Sequence, residues 1–482
     1  MELGFDLGTT NVKAVVTDGD GRAVATGSAP VERFYTSDGG IEQDIEQIWT
    51  ATCTAIRQAL RAVNPAAIQS VGVSSQGGAL QVLDAAEQPV GRVISWLDSR
   101  GQPFDQEFTE ELGEDFLAEH IGHATSTLAL GQILRLQRQS PERFKTVRHI
   151  AFVGDAIVGR LCGRRAHDAT SLAIAMLYNP WLRRADPDIL ARLRLDECQL
   201  PALLPATTLA GQVRHEASRQ TGLPAGIPVS PAIHDQYAVS LGAGSVHEGD
   251  VTFGAGTAWV LLANSTRLAR PVTRDAFVCP HPVAGLYGQL LSLRNGGSAI
   301  QWVLSLIGRD NAAPETVDQV LAEVPPGSDG LCFWPLLSPD AAGEAALPAG
   351  GRIYGITLNH QPGHLLRAVV EGLACELARH LRWLAEAGIS VTRLLMCGGA
   401  AASRQTPQII ADVTQRPVAC VEAFDVSALG AAVLARAIVE PAAPLARLAE
   451  ARAPRWRLVT PGENADVYRK VCERYSDMNH ET

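Results

Sequence analysis

The chain has 482 residues, 46% of them hydrophobic, and a formal net charge of −10. Its length predicts two domains, because a single core rarely grows to that size. Basic residues form no stripe interleaved with aromatic residues, so nucleic acid is a poor candidate partner. No uncharged apolar run is long enough to span a membrane, so we expect no membrane partner.

The nine cysteines form no CxxC pair and no cluster with histidine. That pattern is typical of small buried thiols in a reducing compartment and argues against disulfides or a zinc site. The sequence starts on a strand-like segment without a basic and apolar leader. We therefore expect a cytoplasmic protein.

The first predicted element is a hairpin over residues 4–18, GFDLGTTNVKAVVTD. An apolar strand reaches Asp6, turns tightly and leaves on a second apolar strand. Backbone N–H groups, short polar side chains and one positive charge make the turn a predicted phosphate grip. Its candidate residues are Gly8, Thr9, Thr10, Asn11 and Lys13. The Asp6 carboxylate suits Mg²⁺. The alternative is an ordinary hairpin in which glycine and threonine only satisfy the turn.

Residues 41–44 then lead into a helix that runs through Trp49 to Leu60, with Asp44 as a candidate cap. Residues 67–74, AIQSVGVS, then predict a buried strand that leads to Gln76 and Gly77. A strand that ends in small and polar residues is a place to look for a ligand. Both residues are therefore candidates for binding a substrate.

The segment VISWLDSR, residues 93–100, places an aromatic ring and two charged groups at the end of an apolar strand. Trp96 is a candidate wall for a sugar pocket, and Asp98 is a candidate partner for sugar hydroxyls. Asp98 and Arg100 could instead pair with each other and hold the loop, a role we favour for Arg100. Residues 104–161 show a helical pattern.

Residues 168–171 predict a loop, and residues 229–233 a short strand followed by a helix that starts at Gln236. Side chains at such a strand-to-helix turn project into a cleft. Asp235 on this turn could cap the helix or take part in chemistry. His234 is expected to support the loop rather than to act in catalysis.

Residues 251–262, VTFGAGTAWVLL, are again strand, Gly/Thr turn and strand, like the opening hairpin. An apolar strand in residues 393–403 runs into a glycine pair, as the strand before Gly77 does. This weak internal repeat predicts a duplicated architecture. We place the two domains at residues 1–244 and 245–482.

The order of these segments resembles that of the FGGY carbohydrate kinases, a branch of the actin-like, hexokinase-like ATPase superfamily. The segments are FDLGTT, EQD, VGVSSQGG, WLDSR, HDQ, FGAGTA, NGG, RAVVEG, CGGAAAS, ADVTQRPV and SALGAA. The resemblance covers nearly the whole chain. It implies an α/β fold of two actin-like (ribonuclease H-like) domains, each a mixed β-sheet flanked by helices, with the active site in the interdomain cleft. It also implies transfer of the γ-phosphoryl group of Mg-ATP to a small sugar, most simply a ketopentose such as xylulose or ribulose.

The resemblance assigns roles to residues already singled out. Asp235 becomes the general base, and Asp6 and Asp235 become the Mg²⁺ ligands. Further residues of the nucleotide site are Gly254, Gly256 and Thr257 for phosphates, and Gly398, Gly399, Ser403 and Gln408 for adenosine. The residues expected to face the sugar are Gln76, Gly77, Trp96, Asp98 and Gln236. The glycines could also serve tight packing between helix and strand.

Three departures from the family pattern leave the substrate open. Xylulokinase-like members carry Met-His where this chain has Gly77-Gly78, and the Arg-Glu pair of glycerol-kinase-like members is missing too. We expect the glycines to enlarge the pocket or to make room for another loop. The family's GER-and-proline loop is reduced to Gly343-Glu344-Ala345. A kinase for another polyol or a hexulose, a catalytically weak sugar-binding or regulatory relative, and an actin-like ATPase are the alternatives. A homodimer fits the resemblance, although no residue pattern decides it.

Overall fold

The computed structural model describes residues 1–310, 312–337, 350–423 and 425–480. Two compact units divide the chain, and neither is contiguous. Unit 1 comprises Met1–His247, Asn264–Gln289 and Asp425–Ala453, and unit 2 comprises Glu248–Ala263, Leu290–Phe424 and Pro454–Thr482. The predicted division of the sequence at residue 244 stays a prediction. The segment Gly343-Glu344-Ala345 lies outside the described residues.

The α-helices are α1 Ile45–Leu60, α2 Gln102–Leu112, α3 Glu114–Ile121, α4 Ala129–Gln139, α5 Pro141–Phe144, α6 Val153–Cys162, α7 Ala169–Ile174, α8 Pro187–Arg192, α9 His215–Thr221, α10 Asp235–Gly242, α11 Gly297–Leu306, α12 Pro314–Glu323, α13 Pro362–Glu386, α14 Gln405–Thr414, α15 Val426–Val439, α16 Leu445–Arg452 and α17 Ala465–His480. Short 3₁₀ turns lie at Pro65–Ala67, Ser99–Gly101, Glu197–Gln199, Ser328–Gly330 and Gly399–Ala402. Within the described ranges, no helix combines the length and apolarity needed to cross a bilayer.

The strands are β1 Glu2–Leu7, β2 Asn11–Thr17, β3 Ala23–Pro30, β4 Phe34–Tyr35, β5 Ile41–Gln43, β6 Ser70–Ser75, β7 Leu80–Leu83, β8 Val93–Ile94, β9 His149–Phe152, β10 Ala166–His167, β11 Tyr178–Asn179, β12 Arg184–Ala185, β13 Ala202–Leu203, β14 Gly211–Gln212, β15 Pro228–His234, β16 Asp250–Ala255, β17 Trp259–Ser265, β18 Phe277–Pro280, β19 Tyr287–Ser292, β20 Cys332–Trp334, β21 Arg352–Tyr354, β22 Arg393–Cys397, β23 Val418–Val421 and β24 Trp456–Val459.

The main sheet of unit 1 is mixed and runs in the order β13-β10-β15-β6-β1-β2-β3. Strand β1 pairs antiparallel with β2 and parallel with β6, which places Asp6 opposite both Lys13 and Ser74. Strand β15 pairs parallel with β6, and its end at His234 lies beside Ser75. The carboxyl ends of three parallel strands therefore meet at one edge of the sheet. Asp6 lies near the end of β1, Gln76 directly follows β6, and Asp235 directly follows β15.

Helices cover both faces of this sheet, and glycines set how closely they approach. An ideal Cβ at Gly72 would lie 1.7 Å from the carbonyl oxygen of Ala431 in α15, and one at Gly4 would lie 2.0 Å from that of Ala428. Gly27 in β3 pairs with Ala14, one residue along β2 from the partner of Gly4, so it faces the opposite side of the sheet. A Cβ at Gly27 would lie 2.0 Å from the carbonyl oxygen of Ala55 in α1. Only glycine permits this contact between strand and helix backbones.

Unit 2 repeats the local topology of unit 1. Strand β16 pairs antiparallel with β17 and parallel with β22. Strand β22 pairs parallel with β23, which pairs antiparallel with β24. The arrangement of β16, β17 and β22 matches that of β1, β2 and β6, so the predicted duplication is confirmed.

Two elements differ from their predictions. The helical pattern over residues 104–161 contains the strand β9, which pairs antiparallel with β7, because a short buried apolar run has the same appearance in a helix and in a strand. The predicted loop at residues 168–171 is the start of α7, where the Asp168 carboxylate accepts hydrogen bonds from the N–H groups of Thr170 and Ser171. That is a helix N-cap, which the DATS sequence allowed.

Candidate active site

Asp6 is a buried acid at the end of β1 whose carboxylate is held by two hydroxyl groups. Its Oδ1 accepts a hydrogen bond of 2.6 Å from the Ser74 hydroxyl, and the Ser427 hydroxyl also donates to its carboxylate. Burial and the nearby charge of Asp235 raise the pKa of Asp6 to about 6. Asp6 and Asp235 are thus close enough to repel each other when both are ionised.

Asp235 is the first residue of α10, directly after β15. Burial raises the pKa of its carboxyl to about 6, against hydrogen bonds from the side chain and the backbone N–H of Gln236. About a quarter of the side chain, 27%, remains exposed. Gln236, predicted to face the sugar, thus contacts the predicted base itself.

Lys13 balances part of this negative charge and is itself paired. Its Nζ lies 2.9 Å from Oδ1 of Asp425, the residue before α15, and its charge also lowers the pKa of Asp6. Two neighbouring carboxylates of raised pKa, with Lys13 shared between Asp6 and Asp425, leave excess negative charge when ionised. Oxygen ligands with excess negative charge suit a hard divalent cation, so Asp6 and Asp235 fit the predicted Mg²⁺ site.

The turn after β1, the predicted phosphate grip, is closed by a backbone hydrogen bond and requires glycine. Gly8 N–H donates to the carbonyl oxygen of Asn11 over 3.1 Å, and an ideal Cβ at Gly8 would lie 2.8 Å from that oxygen. The Thr10 side chain is exposed, with its hydroxyl oxygen 3.3 Å from the donating Asn11 Nδ2. Thr10 is therefore the polar side chain that this turn exposes, and phosphate binding by the turn stays a prediction.

The Thr9 hydroxyl, by contrast, is used inside the protein. It accepts a hydrogen bond of 2.9 Å from Trp96 Nε1 and donates one of 3.1 Å to Gln76 Oε1. Gln76 Nε2 donates over 2.9 Å to Gln43 Oε1, and Gln43 Nε2 donates over 2.9 Å to the carbonyl oxygen of Thr9. This closed network, which we call the Gln43 network (Thr9, Gln43, Gln76 and Trp96), ties two predicted sugar residues to the predicted phosphate turn.

Gln43, Ser427 and Asp425 were not predicted as site residues. Gln43 belongs to the EQD segment and Ser427 to the SALGAA segment, which were used only for the family resemblance. Gln43 is fully buried, and a buried amide needs partners. The pattern of EQD alone could not show that those partners lie on the phosphate turn.

Asp98 has no lone pair to spare for a sugar. Its Oδ2 accepts from Ile41 N–H, its Oδ1 accepts from Gln132 Nε2, and both oxygens accept from the Arg100 guanidinium. Arg100 also contacts Asp38 and Glu42. The geometry matches the structural alternative for Asp98 and Arg100, and a sugar-binding role for Asp98 stays a prediction. Trp96 is 41% exposed, and its role as a wall of a sugar pocket stays a prediction.

Of the two expectations at Gly77, an enlarged pocket or room for another segment, the geometry favours the second. An ideal Cβ there would lie 2.4 Å from Cδ2 and 2.6 Å from Nε2 of the His234 ring, and 2.5 Å from Cγ2 of Ile174. The space left by the missing side chain is therefore filled by His234 and Ile174. Sequence reasoning missed this because the two residues lie far from Gly77 along the chain.

The second predicted phosphate turn, in unit 2, connects β16 and β17. The carbonyl oxygens of Gly256 and Thr257 accept hydrogen bonds from Gly297 N–H over 2.9 Å and Ser298 N–H over 3.0 Å. Gly254 lies in β16 opposite Val260. An ideal Cβ at Gly256 meets nothing closer than 3.9 Å, so this side of the turn is open.

The predicted adenosine residues follow β22. Gly398 has a φ of +93°, and a Cβ there would lie 3.0 Å from the carbonyl oxygen of Ala255, so this position requires glycine. A Cβ at Gly399 would meet no atom within 4 Å. Gly398 therefore packs closely against β16, and the space beside Gly399 is open; adenosine binding by either glycine stays a prediction.

Ser403 and Gln408 are committed to contacts within unit 2. The Ser403 hydroxyl donates to Asp318 Oδ1 over 2.5 Å. Gln408 Nε2 donates to Asp412 Oδ1 over 2.8 Å and to the carbonyl oxygen of Thr460 over 3.1 Å. Their roles in adenosine binding stay predictions.

Comparison with known proteins identifies relatives over almost the whole chain. Residues 1–242 match the model of the FGGY family of carbohydrate kinases, N-terminal domain, and residues 252–438 match that of the C-terminal domain. A xylulose kinase of Streptomyces coelicolor is 31% identical over 93% of this chain and 90% of its own length. A glycerol kinase of Gloeobacter violaceus is 29% identical over 89% and 86%. The crystal structure of xylulose kinase from Rhodospirillum rubrum superposes with a TM-score of 0.88 at 26% identity, covering 99% of this chain and 98% of that one.

Proposed function

Because the chain belongs to the FGGY family of carbohydrate kinases, which transfer a phosphoryl group to a sugar hydroxyl, we propose that it phosphorylates a small ketopentose such as xylulose or ribulose. Both the enzyme class and the α/β fold of two actin-like domains predicted from the sequence are confirmed by these relatives. The observation that carries the proposal is the pair of carboxylates at neighbouring strand ends, Asp6 in β1 and Asp235 directly after β15.

Asp235 is the proposed general base. A sugar hydroxyl is a weak acid, so the carboxylate accepts its proton late, as the bond to phosphorus forms. A base with a pKa of about 6 is ionised near neutral pH and is still basic enough to take a proton. Gln236 orients the carboxylate through its two hydrogen bonds.

Asp6 and Asp235 are the proposed Mg²⁺ ligands, directly or through water. Bound there, Mg²⁺ supplies charge neutralisation for the phosphate oxygens. Ser74 and Ser427 hold the Asp6 carboxylate in place, and Lys13 offers a positive charge to a phosphate if it exchanges its contact with Asp425. Phosphoryl transfer depends mainly on such positioning and charge.

Each unit contributes one proposed phosphate turn. In unit 1 these are the backbone N–H groups around Gly8 with Thr10, and in unit 2 those around Gly256. Gly399 is the proposed contact for the nucleoside. The interdomain cleft, a cytoplasmic location and a homodimer stay predictions.

The sugar side consists of Gln76 and the Trp96 ring. A ring face suits the apolar face of a sugar, and an amide suits its hydroxyls. Glycerol is a second candidate substrate, because a glycerol kinase and a xylulose kinase are similar to this chain at nearly equal identity.

A coupled assay of ADP release tests the proposal. The panel contains D- and L-xylulose, D- and L-ribulose, glycerol, longer polyols and hexuloses, each at several concentrations with Mg-ATP. Asp235→Asn is the matched control, since it keeps the shape of the side chain. A ketopentose should raise ADP release well above the sugar-free rate for the wild type alone. If no compound raises it, the proposal is wrong.

A further inference from the structure

We infer, on the basis of the proposed function, that His234 is a positioning residue that holds the Asp235 carboxylate in place for proton transfer. The sequence pattern predicted only a general role for His234, that of supporting the loop. Three features of its surroundings carry the inference: its contact with Asp235, the confinement of its ring, and the fixed backbone beneath the ring.

The first feature is the contact itself. His234 Nε2 lies 3.3 Å from Asp235 Oδ1, and the histidine side chain is 7% exposed. Beside a carboxylate oxygen, the hydrogen of a neutral imidazole belongs on the facing nitrogen. His234 Nε2 therefore faces Oδ1 of the base at contact distance.

The second feature is the confinement of the ring. The position of its Nε2 and Cδ2 is set by Gly77, where even a methyl group would overlap them. Its Nδ1 is buried and has no hydrogen-bond partner among the described residues. The ring is thus held by shape, and Nε2 is the nitrogen with a defined task.

The backbone beneath the ring is fixed by the cap of α7. His234 N–H donates over 3.0 Å to the Thr170 hydroxyl, which itself donates over 2.6 Å to Asp168 Oδ1. The Ser171 hydroxyl donates to the carbonyl oxygen of Ala232 over 3.3 Å. The segment DATS therefore supports the strand end that carries both His234 and Asp235.

The Asp235 side chain leaves this supported strand end and can rotate about its own bonds. A neighbour that is itself fixed in position restricts that rotation, because rotation would separate the carboxylate from His234 Nε2. A misplacement of 1 Å can cost about a hundredfold in rate.

Two variants separate a positioning role from mere filling of space. His234→Phe keeps the ring and removes the donor, and His234→Gln restores an N–H donor at the distance of Nε2. We expect His234→Phe to lower kcat by about thirtyfold, with the KM for the sugar changed less than about threefold. His234→Gln should recover most of that loss. Equal losses in both variants, or a fully active His234→Phe, would overturn the inference.

Gly77→Ala provides an independent test through the same ring. The methyl group should displace His234 and lower kcat, whereas Gly19→Ala, at a position where a Cβ meets no atom within 4 Å, should not. In the His234→Ala background the effect of Gly77→Ala should shrink by at least about threefold, because the two residues share one space. Additive losses would contradict this contact.

A wild type that is inactive on every sugar would overturn the proposed function and this inference with it. An active wild type whose His234 and Gly77 variants are unaffected would overturn the inference alone.

Discussion

Gly72→Ala should strongly destabilise unit 1, because the added methyl group has no room between β6 and α15. Its Cβ would lie 1.7 Å from the Ala431 carbonyl oxygen and 2.6 Å from the carbonyl carbon, distances that real Cβ atoms do not show. The obstacle is backbone, so α15 would have to move by more than about 1 Å across a close-packed face. Overpacking of this kind costs about 3 kcal/mol.

Glycine replacement also restricts the unfolded chain, which stabilises a protein by about 0.4–1 kcal/mol. Gly19→Ala measures that term alone, since its Cβ meets no atom within 4 Å. Urea unfolding followed by circular dichroism should show Gly72→Ala less stable than Gly19→Ala by about 2–4 kcal/mol. Kinase activity should fall too, because α15 carries Ser427 beside Asp6. Equal unfolding midpoints for the two variants would refute the close contact between β6 and α15.

Three further changes test other parts of the molecule. His167 is buried, neither of its ring nitrogens has a hydrogen-bond partner among the described residues, and burial lowers its pKa to about 3. Above pH 6.5 the ring is neutral in the folded and the unfolded chain, and as the pH falls from 6.5 towards 3 the unfolded chain takes up the proton first, which destabilises the fold. His167→Leu should therefore raise the free energy of unfolding by about 1 kcal/mol at pH 8 and by more at pH 5. A lower free energy of unfolding at both pH values would contradict this. Asp6→Asn should lower activity and raise the Mg²⁺ concentration for half-maximal rate at least about tenfold. It should also stabilise the fold at pH 8 by about 1 kcal/mol, because it removes a carboxylate whose pKa is raised to about 6 by burial and Asp235. An unchanged Mg²⁺ dependence would count against a metal role. Gln43→Leu should cost about 2 kcal/mol, since Gln76 loses its buried partner, and unaltered urea unfolding would argue against the Gln43 network.

The sequence was most informative where local chemistry and chain order coincide. The turn at Gly8 and the turn at Gly256 were predicted because the residues that form such a hairpin are adjacent in the chain. The cap at Asp44 was predicted for the same local reason, and its carboxylate does accept the N–H of Glu46. Asp235 was placed at its strand-to-helix turn from residues within a few positions of it.

Contacts between distant segments were not predictable in this way. Gln43 meets Thr9 and Gln76 only because three separate strand ends converge, and His234 fills the space at Gly77 only because β15 lies beside β6. A glycine in a sequence does not say what occupies the space that it leaves. The sequence therefore left an enlarged pocket and another packed segment as alternatives, and the geometry at Gly77 favours the second.

The most direct measurement of the central claim is the yield of sugar phosphate per ADP in the wild type and in Asp235→Asn. Mass spectrometry quantifies the phosphorylated sugar, and a binding assay with ATP confirms that the variant still takes up nucleotide. The wild type should form one sugar phosphate for each ADP. Asp235→Asn should bind ATP yet form sugar phosphate at least about a thousandfold more slowly. A variant within about tenfold of the wild-type rate would contradict the role of Asp235 as the base.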